Sequence, residues 1–93
     1  MFAMYKIMIV EDDNALAAAT QKHIEAWGFE AYCIRNFLDI LLEFVTYKPH
    51  LIILDIVLPF FNGYHWCTEI LALPRRASYL FSFPWKMYLK LYF

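Results

Sequence analysis

The segment Leu51–Gly63, Leu-Ile-Ile-Leu-Asp-Ile-Val-Leu-Pro-Phe-Phe-Asn-Gly, constrains this chain more than any other. Four consecutive large aliphatics, Leu51 to Leu54, run straight into the carboxylate of Asp55, and a proline, an asparagine and a glycine follow within eight residues. A half-exposed strand alternates apolar and polar residues, whereas a strand covered by helices on both faces is continuously apolar. Leu51–Leu54 therefore belongs in the middle of a parallel sheet. Asp55 falls at its carboxyl edge, where open α/β sheets carry their chemistry.

Lys6–Asp13, Lys-Ile-Met-Ile-Val-Glu-Asp-Asp, repeats the design, with Ile7 to Val10 as the buried strand and three acids at its end. As parallel neighbours, the two strands bring Glu11, Asp12 and Asp55 to one small patch. Carboxylates that close repel and raise one another's pKa, a cost that falls sharply when a cation sits among them. Oxygen-only ligands suit a hard ion. Magnesium in particular uses one or two carboxylates, keeps waters and completes its shell with phosphate oxygens. The patch is shaped for phosphoryl chemistry.

Between and after these anchors the chain punctuates itself. Tyr5–Val10 reads as the first strand, and Asn14 as the N-cap of a helix over Ala15–Trp27 that ends at Gly28. Phe29–Ile34 fits a short second strand at the sheet edge. Asn36 caps a second helix over Phe37–Tyr47, with Asp39, Glu43 and Thr46 as one polar line, and Pro49 closes it. After the third strand Leu58-Pro59 forms a stiff turn, Asn62-Gly63 supplies positions tolerant of φ > 0, and a helix runs from Tyr64 to about Leu73. Short β-α-β connections allow only right-handed crossovers, so the fold class is α/β with parallel strands ordered 2-1-3.

Ninety-three residues predict a single domain. The chain is 62% hydrophobic and 20% aromatic, too apolar for disorder. No run approaches the ~18–20 apolar residues of a membrane span, and Glu11-Asp12-Asp13 interrupts the N-terminal apolar stretch before it makes a secretory signal. Cys33 and Cys67 lack metal or redox spacing and read as reduced, packed thiols of a cytoplasmic protein. With only Gly28 and Gly63, there is no glycine-rich cradle for a nucleotide. Residues 1–70 carry nine acids against Lys6, Lys22, Arg35 and Lys48, whereas residues 71–93 carry four cations and no acid.

In Ile9-Val10-Glu11-Asp12-Asp13, in Leu54-Asp55 followed by Leu58-Pro59, and in Asn62-Gly63, the chain resembles the receiver domain of two-component response regulators over about residues 5–73. The resemblance implies a flavodoxin-like sheet. It implies that Asp55 is the phosphoacceptor for a sensor histidine kinase, Asp12 a direct Mg2+ ligand, Glu11 an acid acting on the ion through water, and the Val57 carbonyl a further ligand. Asp13 falls to the loop before the first helix. Such a module is a signalling phosphoacceptor, at most slowly self-phosphorylating from small phosphodonors. Receivers of this pattern often control transcription through an attached DNA-binding domain, and no direct DNA binding is expected of this chain.

Beyond Leu71 the resemblance fades. The expected organisation is a truncated receiver over residues 1–73 and an aberrant aromatic and basic tail over 74–93, translated out of frame or fused. The sheet is then incomplete, with Ala77–Ser82 imitating a fourth strand and Ser82 near the hydroxyl position of receivers. The family's lysine at the end of a fifth strand is missing, which predicts an impaired switch. Leu51–Leu54 is left with an open edge, covered by the tail or by a homodimer exchanging strands. Two other functions compete: an interaction fragment that docks without being phosphorylated, and a Mg2+-dependent phosphatase with an aspartate nucleophile. The phosphatase is disfavoured because Val57 stands where that motif needs a second aspartate.

Overall fold

The computed structural model describes residues 5–73 with their side chains and the backbone of residues 86–90. Within them lie β1 (Lys6–Val10), α1 (Asn14–Ala26), β2 (Glu30–Cys33), α2 (Ile40–Tyr47), β3 (Leu51–Asp55), α3 (Gly63–Leu71) and β4 (Lys86–Lys90). All neighbouring strands pair in parallel, in the order β2-β1-β3-β4. The expected 2-1-3 arrangement is present, and it places the β1/β3 switch point of a flavodoxin-like sheet at the carboxyl ends of the two acid-tipped strands.

The strands are apolar throughout because both faces are used. Met8, Val10, Ile52 and Leu54 point into a core built with Ile40 and Phe44 of α2 and Trp66 and Ile70 of α3. Ile7 and Ile9 face the other way, against Ala17 and Ile24 of α1 and Ala31 of β2. On that second face Leu51 and Ile53 are only partly buried, since α1 packs over β1 and β2. Among the described residues, no helix is long and apolar enough to cross a membrane.

The edge of β3 is not open. Leu51 to Asp55 pair residue for residue with Lys86 to Lys90, so the chain's own tail supplies the covering strand. Of the two covers expected for this edge, the tail or a second copy, it is the tail that pairs with it, which removes that edge as a site for strand exchange. An unpaired row of N–H and C=O groups is a strong template, and the backbone of Lys86–Lys90 adds to it. The segment 77–82, expected as the fourth strand, lies outside the described residues.

Helix ends also differ from the sequence reading. Asp13, not Asn14, caps α1, its Oδ1 accepting from the Leu16 N–H at 3.1 Å. Asp39, not Asn36, caps α2, accepting from the Leu42 N–H at 3.1 Å. Asn36 instead makes a turn, its Oδ1 accepting from the Leu38 N–H. Glu43 does not extend a solvated line: its carboxylate accepts from the N–H groups of Arg35 and Asn36 and from the Tyr32 hydroxyl, tying α2 to the end of β2. Gly28 leaves α1 at φ +91°, a left-handed geometry that favours glycine.

Candidate functional site at the carboxyl edge

β1 and β3 run side by side, with Val10 in register with Leu54. The next residue on each strand is therefore an acid. Carboxylate oxygens of Glu11, Asp12 and Asp55 all lie within 4.8 Å of one another. Glu11 and Asp55 are buried, 8% and 3% exposed, and Asp12 is open to solvent. The three acids singled out in the sequence thus converge.

Two backbone donors hold the buried pair. The Val57 N–H donates to Asp55 Oδ1 at 3.2 Å, and the Asp13 N–H donates to Glu11 Oε2 at 3.2 Å. Asp13 therefore caps α1 with its side chain and braces Glu11 with its amide. Behind the acids a cavity of about 20 Å3, room for one water, is lined by Ile9, Val10, Glu11, Thr20, Ile53 and Asp55. Val57 itself is exposed, on the loop that leaves β3.

That loop is shaped by its prolyl turn. The Phe61 N–H donates to the Pro59 carbonyl at 2.8 Å across Phe60, whose φ of 67° is a strained value for an aromatic residue. Phe60 is left 70% exposed, while Phe61 stacks on His65 at 4.3 Å between ring centroids. Asn62 caps α3 by accepting from the His65 N–H at 3.0 Å. Gly63 is required for closeness rather than for positive φ: a Cβ there would run into the Asp55 carbonyl oxygen and approach the Ile56 Cα to 2.8 Å. The sequence reading missed that role. A glycine eight residues after a strand-ending acid is its only local sign.

His50 lies at the opposite, amino-terminal end of β3, where its Nδ1 accepts from the Lys6 N–H at 3.0 Å. Cys33 and Cys67 are free and half-buried.

Burial first, and then the nearby Glu11 and Asp12, push the Asp55 carboxyl above its ordinary value near 3.8, against the opposing pull of the Val57 N–H. An acid whose folded pKa is raised binds more protons folded than unfolded between the two values, so stability falls as pH rises through that window. In chelator, the contribution of Asp55 to the melting temperature is expected to fall as pH climbs above about 3.8, and it is read as the difference between wild type and Asp55→Asn at each pH. Asp55→Asn should remove this part of the pH dependence and raise Tm at neutral pH by on the order of a few degrees. Circular dichroism melts across a pH series check this, and a lower neutral Tm for Asp55→Asn would contradict it.

A parallel sheet with acids gathered at its β1/β3 carboxyl edge defines an α/β domain of the doubly wound kind. Residues 7–81 match the family described as response regulator receiver domain, and the chain belongs to that family, a signalling rather than a catalytic one. It is 45% identical over 67 residues to the transcriptional regulatory protein YvcP of Bacillus subtilis (strain 168), covering 72% of this chain and 28% of that protein. The chain thus spans less than a third of the curated relatives it matches. Among solved structures it is similar to the N-terminal domain of the nisin resistance regulator NsrR (TM-score 0.71, 26% identity, 98% of this chain and 89% of that one). It is also similar to the MaeR response regulator bound to beryllium trifluoride (TM-score 0.70, 26% identity, 94% and 66%).

Proposed function

We propose that Asp55 accepts a phosphoryl group from a sensor histidine kinase in a two-component phosphorelay, in the cytoplasm, with Mg2+ as cofactor. The convergence of Glu11, Asp12 and Asp55 within 4.8 Å carries this reading. An all-carboxylate donor set fits a hard divalent ion, with Asp12, Asp55 and the Val57 carbonyl as direct ligands and Glu11 acting through water. When bound, the ion supplies charge that offsets the phosphoryl oxygens. The residues do the rest. One Asp55 oxygen attacks phosphorus as the bond to the donor imidazole breaks, and the departing nitrogen keeps that electron pair. The Val57 N–H keeps the carboxylate aimed out of the sheet edge. Phe60, exposed beside the acids' loop, offers the kinase an apolar contact.

MaeR, similar in fold and sequence, binds beryllium trifluoride, a tetrahedral stand-in for a phosphoryl group on a carboxylate. Control of transcription, as in the name of the YvcP relative, belongs to sequence beyond a receiver. Association of copies would use the outer edge of β4, which among the described residues pairs with β3 alone.

Incubation with acetyl phosphate and Mg2+, read by intact mass, is expected to add one phosphoryl group to the wild-type chain and none to Asp55→Asn. Slow self-phosphorylation of this kind needs no kinase. Equal uptake by Asp55→Asn would refute the assignment. Turnover of a phosphomonoester would mark a phosphatase, and inertness to both an interaction module.

A further inference from the structure

A cavity of about 410 Å3 lies between α1 and the end of β2, its lining including Asn14, Gln21, Tyr32, Cys33, Arg35 and Phe37. None of Glu11, Asp12 and Asp55 lines it. The volume falls within the ~300–1,000 Å3 of small-molecule sites, and the exposed Asn14 and Arg35 leave it open to solvent. Its walls are held from behind. Gln21 Nε2 donates to the Ala31 carbonyl at 3.1 Å, and the Cys33 thiol donates to Gln21 Oε1 at 3.6 Å. Tyr32 stacks on Tyr47 at 4.9 Å between ring centroids and donates its hydroxyl to Glu43. Phe37 is half-buried against the core built with α2 and α3.

The charge on this lining is one-sided. Arg35 is always ionised, and among the described residues no carboxylate lies within ion-pair distance of its guanidinium. The Glu43 hydrogen bond, then burial, push the Tyr32 hydroxyl up, and the Arg35 charge pulls it back, so the guanidinium stands near this wall. The Glu43 carboxylate is already met by three donors, the Tyr32 hydroxyl and the N–H groups of Arg35 and Asn36. Burial, and then the Glu25 carboxylate, push the Cys33 thiol up, so it packs as a wall and not as a nucleophile.

We propose that this cavity binds an aromatic monocarboxylate, its acid group on the Arg35 guanidinium, its ring against Phe37, and the Asn14 and Gln21 amides at its polar edge. A guanidinium and a carboxylate match as a bidentate pair, and one cation balances one negative charge. A phosphate monoester, with ~1.5–2 charges, would leave an excess beside Glu43 and Glu25. Binding here does not depend on phosphoryl transfer at Asp55, and it adds a small-molecule input to the domain.

Naphthoate, titrated into the 93-residue chain and followed by amide chemical shifts, is expected to bind with a Kd below about 1 mM. The shifts should centre on residues 32–37, Asn14 and Gln21. Naphthamide, the same shape without the charge, should bind about tenfold more weakly, and naphthyl phosphate severalfold more weakly. Arg35→Gln alters an exposed side chain and keeps the backbone N–H that meets Glu43. Once shown folded by circular dichroism, it should lose about tenfold in naphthoate affinity, the scale of one charge-assisted hydrogen bond, and none in naphthamide affinity. Lys22→Gln removes an exposed cation of α1 that does not line the cavity, and should change neither.

Equal affinities of the wild-type chain for naphthoate and naphthamide would overturn the site, and that comparison decides even if Arg35→Gln misfolds. So would an unweakened Arg35→Gln, an equal loss in Lys22→Gln, shifts confined to the Phe60 loop, or no binding at millimolar naphthoate. Tighter binding of naphthyl phosphate would overturn the carboxylate assignment.

Discussion

Gly63→Ala is expected to cost about 3 kcal/mol or more, at or above the upper end of ordinary overpacking, and to lower Tm by more than about 10 °C. The added Cβ would overlap the Asp55 carbonyl oxygen and sit 2.9 Å from the Asp55 carbonyl carbon. These are backbone atoms and cannot rotate aside as a side chain would. The Gly63 N–H also donates to the Ile56 carbonyl at 2.8 Å, which fastens the start of α3 to the residue just past β3. Either α3 must back away or the end of β3 must move, and Asp55 moves with it. The stabilisation conferred by added Mg2+, measured as a shift in Tm, should therefore shrink in whatever fraction of Gly63→Ala still folds. A melt indistinguishable from wild type would show that the helix start has room the geometry denies it.

Phe44→Ala should be the costlier of two purely apolar lesions, at about 3–5 kcal/mol. Phe44 is 1% exposed and stands where α2 meets the sheet, packed among Met8, Val10, Ile52, Leu54 and Ile70. Small domains hold only ~5–15 kcal/mol in total, so this loss takes roughly a fifth of the stability at the least. In urea the midpoint is expected to drop steeply while the m-value stays constant, because the surface exposed on unfolding changes little. Leu42 lies on the same helix and is 58% exposed, so Leu42→Ala should leave the midpoint nearly unmoved. Equal effects at the two positions would refute the placement of the core.

The central part of this architecture was legible in the sequence. Ile7–Val10 and Leu51–Leu54 are continuous apolar runs ended by acids, and only a strand covered on both faces is written that way. The same runs fix Glu11, Asp12 and Asp55 at adjacent strand ends, so the candidate site could be assembled before any geometry was known. Caps were harder. At Asp13-Asn14 and across Asn36–Asp39, two residues of equal capping ability compete. The choice falls to neighbours, such as the Asp13 amide bracing Glu11. Glu43 was misread for a related reason: its spacing puts it on a helix face, but the loop it clamps arrives from another part of the chain. β4 was the least legible, because a five-residue strand with lysines at both ends has little pattern of its own. Its formation depends on the free edge of β3, a property of the assembled sheet rather than of residues 86–90.

The pairing of Leu51 with Lys86 spans 35 positions, and that separation has a consequence during synthesis. β1, β2 and β3 can associate as soon as they leave the ribosome, but the outermost strand has not yet been made. At ~5–20 residues per second, the nascent sheet waits roughly two to seven seconds with one flank unsealed. During that interval a neighbouring polypeptide competes for the same place, so translation speed and chaperone supply bear on the yield of correctly closed molecules.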